Sequence, residues 1–158
     1  MELDKAVQAL CDGGVDFVII GGVSASFHGS VHLTLDLDIC YSRVSSNLQR
    51  LAATLAPFHP RPIAFADELP FLWDARTLQN GTVFTLQTDL GEIDLLAEVA
   101  GLGSYDDVKA HSIVVEAFDR RVATLDLRSL IRSKRATGRQ KDAAVLVELE
   151  GLLEAGEP

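Results

Sequence analysis

Asp36-Leu37-Asp38 lies in a run, Leu33 to Tyr41, that alternates strictly in polarity. Period-two alternation predicts a strand, with Leu35, Leu37, Ile39 and Tyr41 on one face and Asp36, Asp38 and Cys40 on the other. Carboxylates at i and i+2 then project from the same face, roughly 6.5–7 Å apart at the backbone. Hard divalent cations take oxygen ligands of this kind, and without a cation the two charges repel. Taken alone, an amphipathic strand with one wet face explains the pair equally well. Glu92 to Ala97 repeats the pattern: Ile93, Leu95 and Ala97 are apolar, and Asp94 points the other way. If the two strands are neighbours with their apolar faces on one side, Asp94 joins Asp36 and Asp38. Three carboxylates on one sheet face suit two-metal phosphoryl transfer.

The elements around them must supply a phosphate seat. Phe17-Val18-Ile19-Ile20 is a short β-favouring run closed by Gly21-Gly22, which predicts a buried strand followed by a helix from about Val23 to Phe27, ended by Gly29. Glycines at that junction let backbone N–H groups approach a phosphate closely, and Ser24 and Ser26 offer hydroxyls. A lone Gly-Gly more often marks a turn. Ahead of it, Leu3, Ala6, Val7 and Leu10 recur at helical spacing up to Gly13-Gly14. Ser45 and Ser46 read as caps of a helix with the stripe Leu48, Leu51, Ala52 and Leu55. Thr82–Thr88 and Glu92–Ala97 read as a hairpin through Asp89-Leu90-Gly91. Ser104–His111 reads as a short helix, and 113–118 with 122–125 as a second hairpin around Asp119-Arg120. Two helices follow, Asp126 to about Ala136 and Lys141 to Leu153, separated at Gly138. Residues 64–80 carry no clear periodicity; Phe71, Leu72 and Trp73 within them are expected to pack in the core rather than to stack on a base.

Lys134 continues the apolar stripe Leu127, Leu130 and Ile131 of the first of those helices. A lysine on a core-facing side either snorkels outward or meets an anion. Arg128, Arg132 and Arg135 share another face, where solvation suffices. Asp142 fits a helix-dipole role or a pair with a basic neighbour, and His28, before Gly29, fits a capping or packing role. Cys40 lies on the aspartate face, and nothing marks it as reactive.

Net charge is −9, which argues against tight nonspecific binding to nucleic acid. The distribution is uneven: residues 120–141 carry +7 and the rest −16. A basic C-terminal element therefore faces an acidic body. At 158 residues the chain is expected to form one domain, 1–158, of α+β class, a mixed sheet with helices on one face and C-terminal helices after it. The longest apolar run is far short of the ~20 residues needed to span a membrane. No signal-peptide layout is seen, and Cys11 and Cys40 form no disulfide framework or metal spacing, so a cytoplasmic location is expected.

Phe17-Val18-Ile19-Ile20-Gly21-Gly22, a spacer, and Asp36-Leu37-Asp38-Ile39 together resemble the signature of the nucleotidyltransferase superfamily, which has the DNA-polymerase-β-like fold. The stretch from Gly21 through His28-Gly29 and Thr34 to Asp38 is similar to one branch, the nucleotidyltransferase toxins of abortive-infection, type IV toxin–antitoxin systems and their small relatives. Leu130-Ile131-x-x-Lys134-x-Ala136-x-Gly138-Arg139-x-Lys141-Asp142 is similar to that branch's tail. The resemblance spans about residues 15–150. It implies that Asp36, Asp38 and Asp94 hold magnesium (manganese as a substitute), that Asp94 activates the acceptor hydroxyl, and that Gly21, Gly22, Ser24, Lys134 and Lys141 bind the nucleotide, ATP or another triphosphate. Implied partners are an acceptor RNA, protein or small molecule, and an antitoxin or a second copy of the chain. His32 stands where the branch usually has arginine, and Val145 where it has aspartate. Rival readings are a catalytically silent relative that binds nucleotide, nucleic acid or a partner protein, and a glycosyltransferase, since Asp-x-Asp also holds metal–nucleotide-sugars.

Overall fold

The fold is described from a computed structural model, which covers residues 1–63 and 70–156. Among the described residues, seven strands form one mixed sheet in the order β3-β4-β5-β2-β1-β9-β8. They are β1 (Phe17–Ile20), β2 (Asp36–Tyr41), β3 (Arg61–Pro62), β4 (Val83–Thr88), β5 (Gly91–Leu96), β8 (Ser112–Ala117) and β9 (Arg120–Leu125); β6 (Glu98–Val99) and β7 (Gly103–Ser104) pair separately. β2 lies at the centre, antiparallel to β1 and parallel to β5. That β2–β5 pairing sets Leu37 opposite Ile93 and Ile39 opposite Leu95, all fully buried. Each such side chain contributes about 1.5–3 kcal/mol on burial. A slip of one residue would turn this set to the other face and lose that burial, so the register is firmly specified.

The helices α1 (Leu3–Asp12), α3 (Ser45–Leu55) and α4 (Ala75–Gln79) pack on the apolar face, where Ala6, Val7, Leu10, Leu48, Leu51 and Leu55 meet Leu37, Ile39 and Tyr41. The expected one-sided helical layer is corrected here. The helices α5 (Tyr105–Ala110), α6 (Leu127–Thr137) and α7 (Ala143–Gly156) cover much of the aspartate face, joining Val108, Leu130, Ile131 and Leu149 to Val18, Ile20 and Cys40. The cause is visible in β1: all four of its residues are apolar and buried, so both faces of the sheet need cover.

Several local boundaries differ from the sequence expectation. The helix α2 (Gly21–Phe27) begins at the glycine pair itself. Ser45 opens α3 without a side-chain cap, because the first turn is tied instead by Asn47 and Leu48 N–H groups to the Val44 carbonyl. The second hairpin turns at Phe118-Asp119, both at positive φ (55° and 60°), as a primed two-residue turn requires. Phe118 tolerates that conformation where its ring meets Phe27 and its carbonyl accepts from Gln8. Trp73 packs on the main core and donates to the Ala52 carbonyl, whereas Leu72 is exposed. Part of the aperiodic stretch, residues 64–69, lies outside the described residues. No helix among the described residues is long and apolar enough to cross a membrane.

Candidate active site

Parallel pairing of β2 with β5 sets Asp36 opposite Glu92 and Asp38 opposite Asp94. Four carboxylates thus form a two-by-two array on one sheet face. β4 adds Thr85 beside Asp94, whose carboxyl its hydroxyl approaches. One oxygen each from Asp36, Glu92 and Asp94 lies within 4.8 Å of the others, a spacing that suits a metal ion. Asp38 stands next to them, sharing a side-chain hydrogen bond with Asp94. Asp94 Oδ1 is buried and has no hydrogen-bond partner among the described residues. A buried carboxylate oxygen without a donor is costly, and a cation bound there would remove the cost.

The titration of the array reflects this crowding. Burial, then the hydrogen bond and charge of Asp38 and the charge of Asp36, push the Asp94 carboxyl up to about 7. Desolvation, then the hydrogen bond to Asp36 and the charges of Asp94 and Asp36, push Glu92 to about 7 as well. Burial raises Asp38, against the opposing influence of its hydrogen bond to Asp94 and of Lys134 and Arg139.

Gly21 is required where it stands. Its φ is +67°, and a β-carbon would collide with the Asp38 carboxylate. At Gly22 a β-carbon would come within 2.7 Å of Thr34 Oγ1, so its absence lets the chain before β2 cross the start of α2. Ser24 is not brought to the site. It is fully buried, and its hydroxyl accepts from Thr124 at 2.7 Å, tying α2 to β9. Ser26 spends its hydroxyl on the Gly22 carbonyl one turn back. His28 donates from Nε2 to the Leu125 carbonyl at 2.7 Å, a packing role.

The opposite wall is cationic. α6 starts at Asp126, whose side chain accepts from the Ser129 N–H, and ends at Gly138 in the left-handed conformation. Beyond it the chain doubles back through a 3₁₀ turn, Gln140–Asp142. Lys134, only 11% exposed, lies 3.6 Å from Asp142, and Arg139 donates to Asp142 at 3.1 Å. Burial works against the Asp142 charge, yet the Arg139 hydrogen bond and the two cations hold its carboxyl below the usual range. Lys134, Arg139, Lys141 and Asp142 line a cavity of about 290 Å³ together with Asp36 and Asp38, and Val83, Leu96, Val99 and Ala100 complete its wall. A second cavity of about 390 Å³ opens from the same carboxylates toward Ser30, His32 and Val145.

No family model matches the sequence, and none of the curated proteins matches it. Solved structures do. One, a crystal structure from Thermotoga maritima described as a "putative nucleotidyltransferase", aligns with a TM-score of 0.59 at 15% identity, over 94% of this chain and 90% of that one. This is a nucleotidyltransferase-like fold. At that identity the likeness concerns the architecture, a mixed sheet with its helices, and the site rests on its own geometry. The residues expected from sequence therefore divide: Asp36, Asp38, Asp94, Gly21, Lys134 and Lys141 meet around one cavity, Gly22 shapes its neighbour, and Ser24 is elsewhere. Arg139 joins them at the cavity, and Glu92 joins the carboxylate array beside it. Glu92 was legible in principle, since Glu92-Ile93-Asp94 repeats the i, i+2 spacing of Asp36-Leu37-Asp38.

Proposed function

We propose that the chain is a magnesium-dependent nucleotidyltransferase that moves a nucleoside monophosphate from a triphosphate to an acceptor hydroxyl. The observation that carries this reading is the paired register Asp36–Glu92 and Asp38–Asp94, with Asp94 Oδ1 buried and without a hydrogen-bond partner among the described residues, and with Asp94 lining one cavity with Lys134, Arg139 and Lys141. Asp36, Asp38 and Asp94, with Glu92 at their edge, would hold the ion. Magnesium or manganese in such a site neutralises phosphate charge and favours ionisation of a bound hydroxyl. Asp94 accepts the proton of the acceptor hydroxyl; the acceptor oxygen bonds to the α-phosphorus as the bond to pyrophosphate breaks. Lys134, Arg139 and Lys141 oppose the charge that accumulates on the leaving pyrophosphate. Gly21, by lacking a side chain, leaves Asp38 free to face the phosphates.

The resemblance of the sequence to toxin nucleotidyltransferases supports an antitoxin or a second copy of the chain as partner, with RNA, protein or a small molecule as acceptor. A second reading, a silent scaffold of the same fold, draws on Asp142, which already pairs with Lys134 and Arg139. A transfer assay separates them. Each of the four triphosphates, labelled at the α-phosphate, is incubated with magnesium and a cell extract. Wild type is expected to label an acceptor, Asp36→Ala/Asp38→Ala to do so at least about 10²–10³-fold more slowly, and γ-labelled triphosphate to leave the acceptor unlabelled. Binding of triphosphate without transfer would favour the silent scaffold.

A further inference from the structure

One carboxylate fastens the chain between α2 and β2 to α7. Glu148 accepts from the Val31 backbone N–H at 3.1 Å and from His32 Nδ1 at 3.0 Å. It also takes a hydrogen bond from the Ser30 side chain, whose oxygen in turn accepts from the His32 N–H at 3.2 Å. The Ser30 bond first, then those of Val31 and His32, draw the Glu148 carboxyl down to about 2. An ionised carboxylate only accepts, so Nδ1 carries the hydrogen, and in the neutral ring Nε2 keeps its lone pair. The His32 side chain is 45% exposed, and Nε2 has no partner among the described residues.

His32 lines the second cavity, which shares Asp36, Asp38 and the cationic wall with the first. Asp94 lines the first and is absent from the described lining of the second. In the nucleotidyl-transfer reading, on which this inference rests, Asp94 takes the acceptor's proton. The acceptor then enters through the first cavity, and the nucleoside end of the triphosphate extends into the second. A lone pair at Nε2 calls for a donor. Ionised phosphate oxygens offer none, whereas the sugar attached to the α-phosphate offers hydroxyls. We infer that the second cavity seats the nucleoside and that His32, held by Glu148, is a specificity-determining contact accepting a hydrogen bond from a ribose hydroxyl.

Calorimetric titration of the full chain with magnesium and each of the four ribonucleoside triphosphates, beside their 2′-deoxy and 3′-deoxy counterparts, tests this. Wild type is expected to bind a ribonucleotide about 3–10-fold more tightly than one of its deoxy forms, the worth of one hydrogen bond. His32→Phe brings the ratio of ribonucleotide to deoxynucleotide affinity down to about one. Glu148→Gln narrows the ratio, and His32→Gln, which keeps an acceptor, retains part of it. Thermal melting of each variant controls for folding. Equal binding of ribo and deoxy forms by wild type, or a preference that survives in His32→Phe, overturns the inference and leaves the transfer reading standing. Failure of wild type to bind any triphosphate overturns that reading, and the inference falls with it.

Discussion

Asp94 and Glu92, both raised to about 7, tie stability to pH in a definite direction. Their ordinary values are 3.8 and 4.5, so between about 4.5 and 7 the folded protein holds more protons than the unfolded chain. Stability from these groups is complete below that window and falls as pH rises through it. The metal-free protein is therefore expected to melt at a higher temperature at pH 5 than at pH 8. Magnesium should restore the loss at pH 8 and do little at pH 5, where protons compete for the same oxygens. Differential scanning calorimetry at the two pH values, with and without the ion, checks both signs; a melting temperature that rises from pH 5 to pH 8 without metal would contradict the assignment. Gly21 gives a second prediction at this scale. Gly21→Ala places a β-carbon against Asp38 at φ +67°. Urea unfolding should show a loss of about 1–3 kcal/mol from the backbone conformation alone, and magnesium-dependent triphosphate binding should disappear.

At the scale of elements, α6 delivers Lys134 to the carboxylates, and its start is fixed by Asp126, which accepts from the Ser129 N–H at 2.7 Å. Asp126→Ala should cost about 0.5–2 kcal/mol in denaturant unfolding and weaken triphosphate binding through a looser Lys134. Unchanged stability would show that packing of Leu130 and Ile131 holds the helix without its cap. The elements with a strong period were legible: α1 from Leu3, Ala6, Val7 and Leu10, and β2 and β5 from alternation. So was the core-facing position of Lys134. Local pattern failed where tertiary contact decided. The Phe118-Asp119 turn has no glycine to announce it, and Leu35, although in phase with Leu37, is exposed because β2 begins at Asp36. Ser24 reads as a phosphate donor beside two glycines, but its partner Thr124 is a hundred residues away and invisible to local spacing. Glu92 went unassigned although its spacing from Asp94 was visible, because its position opposite Asp36 follows from the parallel register of β5 with β2.

Across the whole molecule, charge is segregated in sequence and reunited in space. The −9 net charge conceals a basic stretch, residues 120–141, whose Lys134, Arg139 and Lys141 close over the acidic array. Opposed charges of this kind can hold a magnesium–triphosphate complex, with cations for the phosphates and carboxylates for the ion. The most direct test is calorimetric titration of wild type and Asp36→Asn with each triphosphate, in magnesium and in a chelator. Wild type is expected to bind saturably in a magnesium-dependent way, and Asp36→Asn to lose that binding. Binding that persists in the chelator, or that Asp36→Asn leaves unchanged, would contradict a carboxylate-held metal as the centre of the site.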